Sequence, residues 1–553
     1  MTTAMIPSSL PWMNQERRVL IIIVCTHFVL LLTMGLFRHW GNMSSLNDLG
    51  FFDQAVWGTL HGQWFLDTNN VYGQPINWLS CHFNLFLILF VPLYAILPAA
   101  EWFTIAQALA LSVGAWPIFL LASKVHGSER AGLLWAVIYL LNPFLLSAAA
   151  WDFHPVTIAV PLIAGALLAV EKKSIRILMY CCFGLLLIQE QFGLTVAGFG
   201  ALWSLKHRDW KWGGVLAGIG LLHTVLVLGL IMPALSPSGA HAMIDPSAQN
   251  NRYGWLGSSL PEIIGNALFQ PIWVLQTIIF KFGGFNYLIY ISLPFLGLFF
   301  AAPAWLLPAI ADLAANMLST NNMPRGIIAY HSVTLVPVLT ISAIYGIQRV
   351  GQLLTNTIKI HLTMVVLLIT LALSYFLAPF PLPNALNFWQ PVVWFQLPDS
   401  TVKQVRALTS ELQSVSVQAN VGAHFSQHQQ VYRYPYKVDE ADTIVLWLDS
   451  PTNKIFPHSK KSIGTVAHHL QMNPAKYLAS IDCLLHDLDY GVALWKEPWL
   501  VLSRRATSVI SDKSISHRLK MLRHSWQINS EEYKSEIQGC GEKIMNKEYK
   551  KTN

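Results

Sequence analysis

Charge is the scarce ingredient of this sequence. Only 12% of its 553 residues are Asp, Glu, Lys or Arg, where a globular domain carries about 25%. Cysteine is scarce too. The six cysteines (Cys25, Cys81, Cys181, Cys182, Cys483, Cys540) form no CxxC pair and no dense spacing, which excludes a small disulfide scaffold. Several of them sit in apolar runs and read as packing residues. Phosphate loops, dinucleotide fingerprints, HExxH and GxSxG are missing from any convincing context. No small-residue cleavage site follows the first apolar run, Val19–Phe37, which therefore reads as an uncleaved span. There is no internal repeat.

What the chain has in abundance is apolar surface. Hydrophobic residues make up 54% of it, with 21 Trp and 28 Phe. A bilayer accounts for both the excess and the deficit, because charge is expensive in lipid and apolar surface is not. The net charge of +7 is not a nucleic-acid signal. Much of it lies in short loops and in the tail, where it sets orientation or meets anionic lipid.

A helix needs about 20 residues to cross a bilayer. Nine runs read as full spans: Val19–Phe37, Trp102–Ser123, Ala131–Ala150, Pro155–Val170, Gly213–Leu235, Ala267–Phe282, Tyr287–Leu306, Gly326–Ile347 and His361–Pro379. Two others do not fit. Phe83–Pro98 is short and contains Pro92. Ile177–Leu205 is too long for one span and carries Gln189, Glu190 and Gln191 at its middle. The basic loops Arg17–Arg18, Lys124–Arg130, Lys172–Arg176, Lys206–Lys211 and Arg349–Lys359 all fall in the cytoplasm only if both odd segments are re-entrant. Ile177–Leu205 then becomes a hairpin of two half-length helices. Irregular backbone at membrane depth is tolerated only where protein or a wet cavity surrounds it, so an outward-opening cavity is expected.

Residues 1–379 thus read as a helical membrane domain with the N-terminus inside. Residues 380–505 read as a small external α/β domain. Asp399 or Ser400 caps a helix to Leu412, Ser414–Val421 and Thr443–Leu448 are strands, and Tyr490–Leu494 with Trp499–Leu502 forms a closing hairpin. Residues 506–553 read as a basic, loosely ordered tail.

The candidate site residues lie on the expected outer side. Ser45 to His61 has the spacing of an amphipathic helix at the membrane surface. Asp48 at its start is either an N-cap or a carboxylate at the cavity mouth, and Asp53 serves a second contact. His82 stands at the start of the first odd segment, where a structural histidine is the plainer reading. Asp152 and His154 join two spans, with a solvated turn opened by Pro155 as the alternative. Glu190 cannot be buried without a partner or water. Arg325 or His331 could supply that partner. Arg325 suits a phosphate, its plain alternative being interfacial snorkelling. These acidic, His and Arg groups suit a phosphate-bearing, partly lipidic substrate.

Asn47-Asp-Leu-Gly-Phe-Phe-Asp-Gln-Ala-Val-Trp57 with Leu60-His-Gly62 resembles the opening motif of a bacterial membrane-protein family catalogued as DUF2079. His82-Phe83, Pro92-Leu-Tyr94 to Pro98, Asn142-Pro143, Asp152-Phe-His-Pro155, Tyr330-His331 with Pro337, and Ala441-Asp442 match too. The resemblance runs to about Arg504. Gln189-Glu-Gln191 departs from the family's Lys-Glu-Asp. The family is grouped with the GT-C membrane glycosyltransferases. The resemblance therefore implies a GT-C-like fold in the inner membrane and a polyprenyl-phosphate-linked sugar as donor. It also implies Asp48 as acid/base. The residues themselves add Asp53, His82, Asp152, His154, Glu190, Arg325 and His331 as candidates around the substrate, and a divalent cation is the one cofactor to consider. The alternative reading is a transporter or lipid-binding scaffold.

Overall fold

The computed structural model describes residues 14–70, 74–241, 251–326, 330–353, 356–380, 382–386, 395–450, 462–486, 489–506 and 513–539. The basic end of the tail, 540–553, lies outside them. The chain divides into two compact units. The first comprises Met1–Gly35, Leu79–Phe86 and Thr104–Phe388; the second comprises Leu36–Trp78, Leu87–Phe103 and Trp389–Asn553.

The first unit is helical. Among the described residues four helices are long and apolar enough to cross a membrane: Gln15–Trp40, Glu101–His126, Trp210–Leu235 and Ile358–Leu377. Counting each bent pair as one span raises the number to six, below the nine expected. Three expected runs fall outside that count, Pro155–Val170 because its helix Val156–Glu171 has only 16 residues, and the others, like the bent pairs, are interrupted locally. The expected span Ala131–Ala150 bends by 49° between Glu129–Leu140 and Pro143–Ala149. There Asn142 caps the Phe144 N–H and Pro143 opens the next turn. Ala267–Phe282 is broken by 92° ahead of Pro271. Tyr287–Leu306 holds one helix, Gly284–Ser292, and then passes into 3₁₀ turns around Pro294, Gly297 and Pro303. The helix expected from Gly326 starts only at Leu335. Apolar composition alone does not register these interruptions.

The long segment 177–205 is two helices, Ile175–Ile188 and Phe192–His207, with Gln189–Gln191 between them. Contacts at their outer ends make this a hairpin. Glu171, which ends the helix Val156–Glu171, accepts from Lys206 and from the Tyr345 hydroxyl, and Lys124 Nζ lies 3.1 Å from it. His207 Nε2 donates to the Val170 carbonyl at 2.8 Å. Arg17 pairs with Glu129 at 2.9 Å and Arg130 with Glu16 at 3.5 Å. Gln348 hydrogen-bonds His126, which also faces Lys359. All the basic loops named above therefore gather at one end of this unit, and the hairpin starts and finishes there. Its second helix packs backbone to backbone on Trp210–Leu226. A Cβ on Gly200 would meet the Gly213 carbonyl at 2.5 Å, and one on Gly220 would meet the Gly193 carbonyl at 2.3 Å. That glycine seam is the close helix approach typical of membrane packing.

The second unit is built on a five-stranded sheet of order β4-β3-β5-β7-β6. Its strands are β3 (Ser414–Val417), β4 (Gln430–Arg433), β5 (Thr443–Trp447), β6 (Gly491–Lys496) and β7 (Trp499–Ser503). A two-residue pair, β1 (Leu66–Asp67) and β2 (Ile76–Asn77), stands apart from it. β4, β3 and β5 run parallel, while β7 and β6 are antiparallel to their neighbours. Side chains alternate between the faces. Val415, Val417, Val445, Trp447 and Val501 pack with Val402, Val405, Phe425 and Leu46. Ile444, Leu446, Leu500 and Leu502 pack with Tyr477, Leu478 and Ile481 on the other face.

Three expectations need correction in this unit. The helix at Asp399 is capped as expected, with Asp399 accepting from the Thr401 N–H, but it ends at Arg406 rather than Leu412. Part of the supposed loose tail is the helix Lys513–Ser525, whose Ile515, Leu519 and Leu522 share one buried face of the core. Three apolar residues at spacings of 4 and 3 suffice for that face, although their average among lysines reads as polar. Finally, the amphipathic stretch is a π turn, Leu46–Gly50, followed by the helix Phe51–Leu60. Its apolar face packs within the unit: Phe51 stacks on Trp78 at 4.9 Å, and Phe52 meets Trp78 and Phe103.

Candidate functional site

In the helical unit the break in the hairpin makes the site. The helix Ile175–Ile188 stops because Gln189 is extended, leaving late carbonyls without their helical partners. Asn84 Nδ2 donates to one of them, Ile188 O, at 2.7 Å. The same segment serves Glu190. The Phe83 N–H donates to Oε2 at 2.9 Å, and His82 Nδ1 lies 2.9 Å from Oε1. Glu190 is 6% exposed, so these contacts replace the water it has lost. His82 Nδ1 must carry the proton toward the carboxylate. Gln189 Nε2 lies 3.1 Å from the same nitrogen. Neither Arg325 nor His331 is the partner of Glu190; that expectation is corrected to His82 and the Phe83 backbone.

Asp152 and His154 are buried between Pro143–Ala149 and Val156–Glu171. Gln107 Oε1 accepts the His154 N–H at 3.0 Å. His154 Nδ1 donates to the Asp152 carbonyl at 2.8 Å, which directs its Nε2 the other way. The His154 ring stacks on Tyr330 at 3.4 Å, and Tyr330 stacks on His331 at 4.0 Å. Both ring nitrogens of buried His331 lack a partner among the described residues. The charged groups that reach His331 are Arg252, His154 and His82, and His241 reaches Glu190. One polar cluster of the helical unit thus holds His82, Asp152, His154, Glu190 and His331. Arg252, His241 and Tyr330 belong to it as well. Tyr330 belongs to a motif already noted, whereas Arg252 and His241 were missed because a single Arg or His in a polar loop carries no pattern.

Arg325 is otherwise engaged. Its Nη1 donates to Asn316 O at 2.8 Å and Ser319 O at 2.6 Å, and its Nη2 donates to Asn322 Oδ1 at 2.8 Å. It caps the C-terminus of Ile310–Leu318, where a cation opposes the helix dipole. It borders the cluster through Tyr253, which feels both Glu190 and Arg325, and through Asn316, whose Nδ2 donates to the His331 carbonyl at 3.5 Å.

Asp48 and Asp53 belong to the sheet-containing unit. Asp48 is half-buried on the π turn, a distortion that recurs at functional sites. Ser45, not Asp48, is the cap, its side chain accepting the Asn47 N–H. Gln471 clamps this turn: Nε2 donates to Ser45 Oγ at 3.1 Å, while Oε1 accepts from Asn47 and Arg433. Asn69 Nδ2 holds the other side of Asn47 at 2.6 Å. Gly422 lets the turn seat, since a Cβ there would meet Leu46 Cβ at 2.4 Å. His468 lies in the field of Asp48. Burial and Arg38 hold that imidazole below its usual range, and Asp48 pulls the other way. Gln471 and His468 follow Asp48 by more than 400 residues, so no local signal links them to it.

Asp53 is sealed at 1% exposure. It accepts from Tyr94 at 2.6 Å, Ser426 at 2.5 Å and Gln427 at 3.1 Å. Burial raises its pKa against these donors. It is a tie within the unit and presents no free edge to a substrate, contrary to expectation. No group of three or more His, Cys, Asp or Glu among the described residues could hold a metal ion.

Two crystal structures of ArnT from Cupriavidus metallidurans are similar to this chain, one bound to undecaprenyl phosphate and one in the apo state. The TM-scores are 0.48 and 0.47, with 14% and 15% identity, and each match covers 89% of this chain and 98% of the other. No curated protein matches the chain. The family profile described as "Predicted membrane protein (DUF2079)" matches residues 38–473, most of the chain and nearly all of the residues discussed above, and the chain belongs to that family.

Proposed function

We propose that this protein is a GT-C-like, inverting glycosyltransferase of the inner membrane that takes a sugar from a polyprenyl-phosphate donor. The donor class comes from the GT-C resemblance. The observation that carries the reading is the hairpin break, which holds Glu190 and His82 in a buried polar cluster at the membrane-embedded unit's break rather than among its basic loops. Ionisable groups so placed are functional by default.

An acceptor hydroxyl attacks the anomeric carbon, the bond from that carbon to the phosphate oxygen breaks, and the polyprenyl phosphate leaves. It is the GT-C resemblance that assigns the hydroxyl proton to Asp48. Glu190, His82, Asp152 and His154 orient the sugar. Arg252 and His331 meet the charge that grows on the leaving phosphate. Arg325 acts by capping its helix and so positioning the loop before His331. Purified protein should release sugar from labelled polyprenyl-phosphate donors, and Asp48→Asn should lower turnover by about a hundredfold, the lower range for a lost general base. Equal turnover by both proteins removes Asp48 from the mechanism.

We place the N-terminus in the cytoplasm and the sheet-containing unit outside. The gathering of basic loops at one end supports this. Single cysteines at Ser45 and Ser450 should react with an impermeant thiol reagent in intact cells, and one at Ser174 only after lysis. Labelling of Ser174 without lysis reverses the topology.

The broken hairpin also suits a carrier. Uptake of a labelled solute into vesicles, abolished by Glu190→Gln, would favour that reading.

A further inference from the structure

The base of the hairpin carries a surface that the transfer reaction does not use. Five cations stand exposed there: Lys172, Lys173 and Arg176 at the way in, Arg208 and Lys211 at the way out. None makes a side-chain hydrogen bond or a close ion pair among the described residues. The two groups adjoin, since Lys173 acts on Asp209 and His207 bonds the Val170 carbonyl.

The nearby acids do not neutralise them. Glu171 is taken by Lys206 and Lys124. Asp209 accepts from Trp203 Nε1 at 3.1 Å and caps the next helix through the Trp212 N–H at 3.2 Å. Asp209 is the one acid within the patch and leaves it strongly positive. Two indoles flank Lys211: Trp210 is 68% exposed and Trp212 is 39% exposed. Exposed Trp beside Lys and Arg is the composition of a membrane–water interface.

We infer that this surface binds the phosphate headgroup of an anionic phospholipid. The phosphate sits among the five cations, and the indoles rest at the level of the glycerol backbone. The binding would pin both ends of the hairpin whose tip carries Glu190. A soluble phosphate shares the charge but makes no use of the exposed indoles, so the lipid is the occupant that fits both features.

The test uses the full chain in detergent, scored by lipid retention in native mass spectrometry and by thermal shift. Phosphatidylglycerol should be retained and should raise the melting temperature, while phosphatidylcholine does neither. Each cation near an anionic surface contributes about fivefold in affinity. Lys172→Gln with Lys211→Gln should therefore weaken phosphatidylglycerol binding by about 25-fold, and Lys172→Arg with Lys211→Arg should keep it. Circular dichroism checks the fold of both pairs. Equal retention of the two lipids, or full retention by the glutamine pair, overturns the inference. Displacement of the lipid by millimolar inorganic phosphate also overturns it, in favour of a soluble ligand. Sugar-transfer activity enters none of these readouts, so they stand apart from the proposed reaction.

Discussion

Glu190 in the helical unit and Asp53 in the sheet-containing unit are equally hidden, at 6% and 1% exposure, yet their surroundings differ. Asp53 is satisfied by three neutral donors, Tyr94, Ser426 and Gln427. Glu190 has an imidazole and one backbone N–H. A carboxylate surrounded by neutral donors is a fastening. A carboxylate paired with a titratable ring at a helix break can exchange protons or hydrogen bonds with a ligand. Burial alone does not separate the two; the chemistry of the donors does.

Four experiments would break or sharpen this contrast. The largest effect is expected at Asp53. Asp53→Ala strands the buried Tyr94 hydroxyl and takes one acceptor from Ser426 and from half-buried Gln427, and should destabilise the sheet-containing unit by about 2–4 kcal/mol, measured by denaturant unfolding. A change below about 1 kcal/mol would deny it a fastening role.

Glu190→Gln is next. The amide still accepts from the Phe83 N–H, so the unit should melt within a few degrees of the parent, while transfer falls about a hundredfold. A large loss of stability with undiminished specific activity would place Glu190 with Asp53.

Asp67 gives a pH signature. Burial raises its pKa to about 7, against 3.8 for the ordinary carboxyl. The folded state therefore keeps a proton that the unfolded chain releases. Stability is lost as pH rises between those values and levels off above pH 7. Asp67→Asn should flatten that slope and leave the protein about 2 kcal/mol more stable at pH 8, a discounted share of the full linkage. A parallel slope in both proteins would refute the shift.

Gln471→Leu should have the smallest effect, about tenfold on turnover, as expected for one lost positioning hydrogen bond. Amide exchange over residues 45–51 should speed up while the sheet stays protected. Unchanged exchange there would show that the π turn does not depend on the clamp.

How legible was all this in the amino-acid order? The hairpin break announced itself, because a Glu between two glutamines interrupts a long apolar run. The strands β3, β5, β6 and β7 fall on the expected segments for the same kind of reason, since alternation and turn residues are local signals. The span count was less legible. Pro143, Pro271, Pro294 and Pro303 bend or end helices that an apolar average runs together. The candidate site was read residue by residue, but not its pairings. His82 and Glu190 were both singled out without being joined, and Arg252, His241, His468 and Gln471 were passed over.

Composition and periodicity by themselves determined that this is a membrane protein with a helix broken at Gln189–Gln191 and a sheet near its C-terminal end. Those properties follow from near neighbours: the cost of charge in lipid, the reach of one helical turn and the alternation of a strand. Only the tertiary structure decided which groups meet. His82 lies 108 residues from Glu190, Ser426 lies 373 from Asp53 and Gln471 lies 424 from Asn47. A buried polar group takes whichever donor packing brings within about 3 Å, and that choice is made by the whole fold rather than by any stretch of the chain.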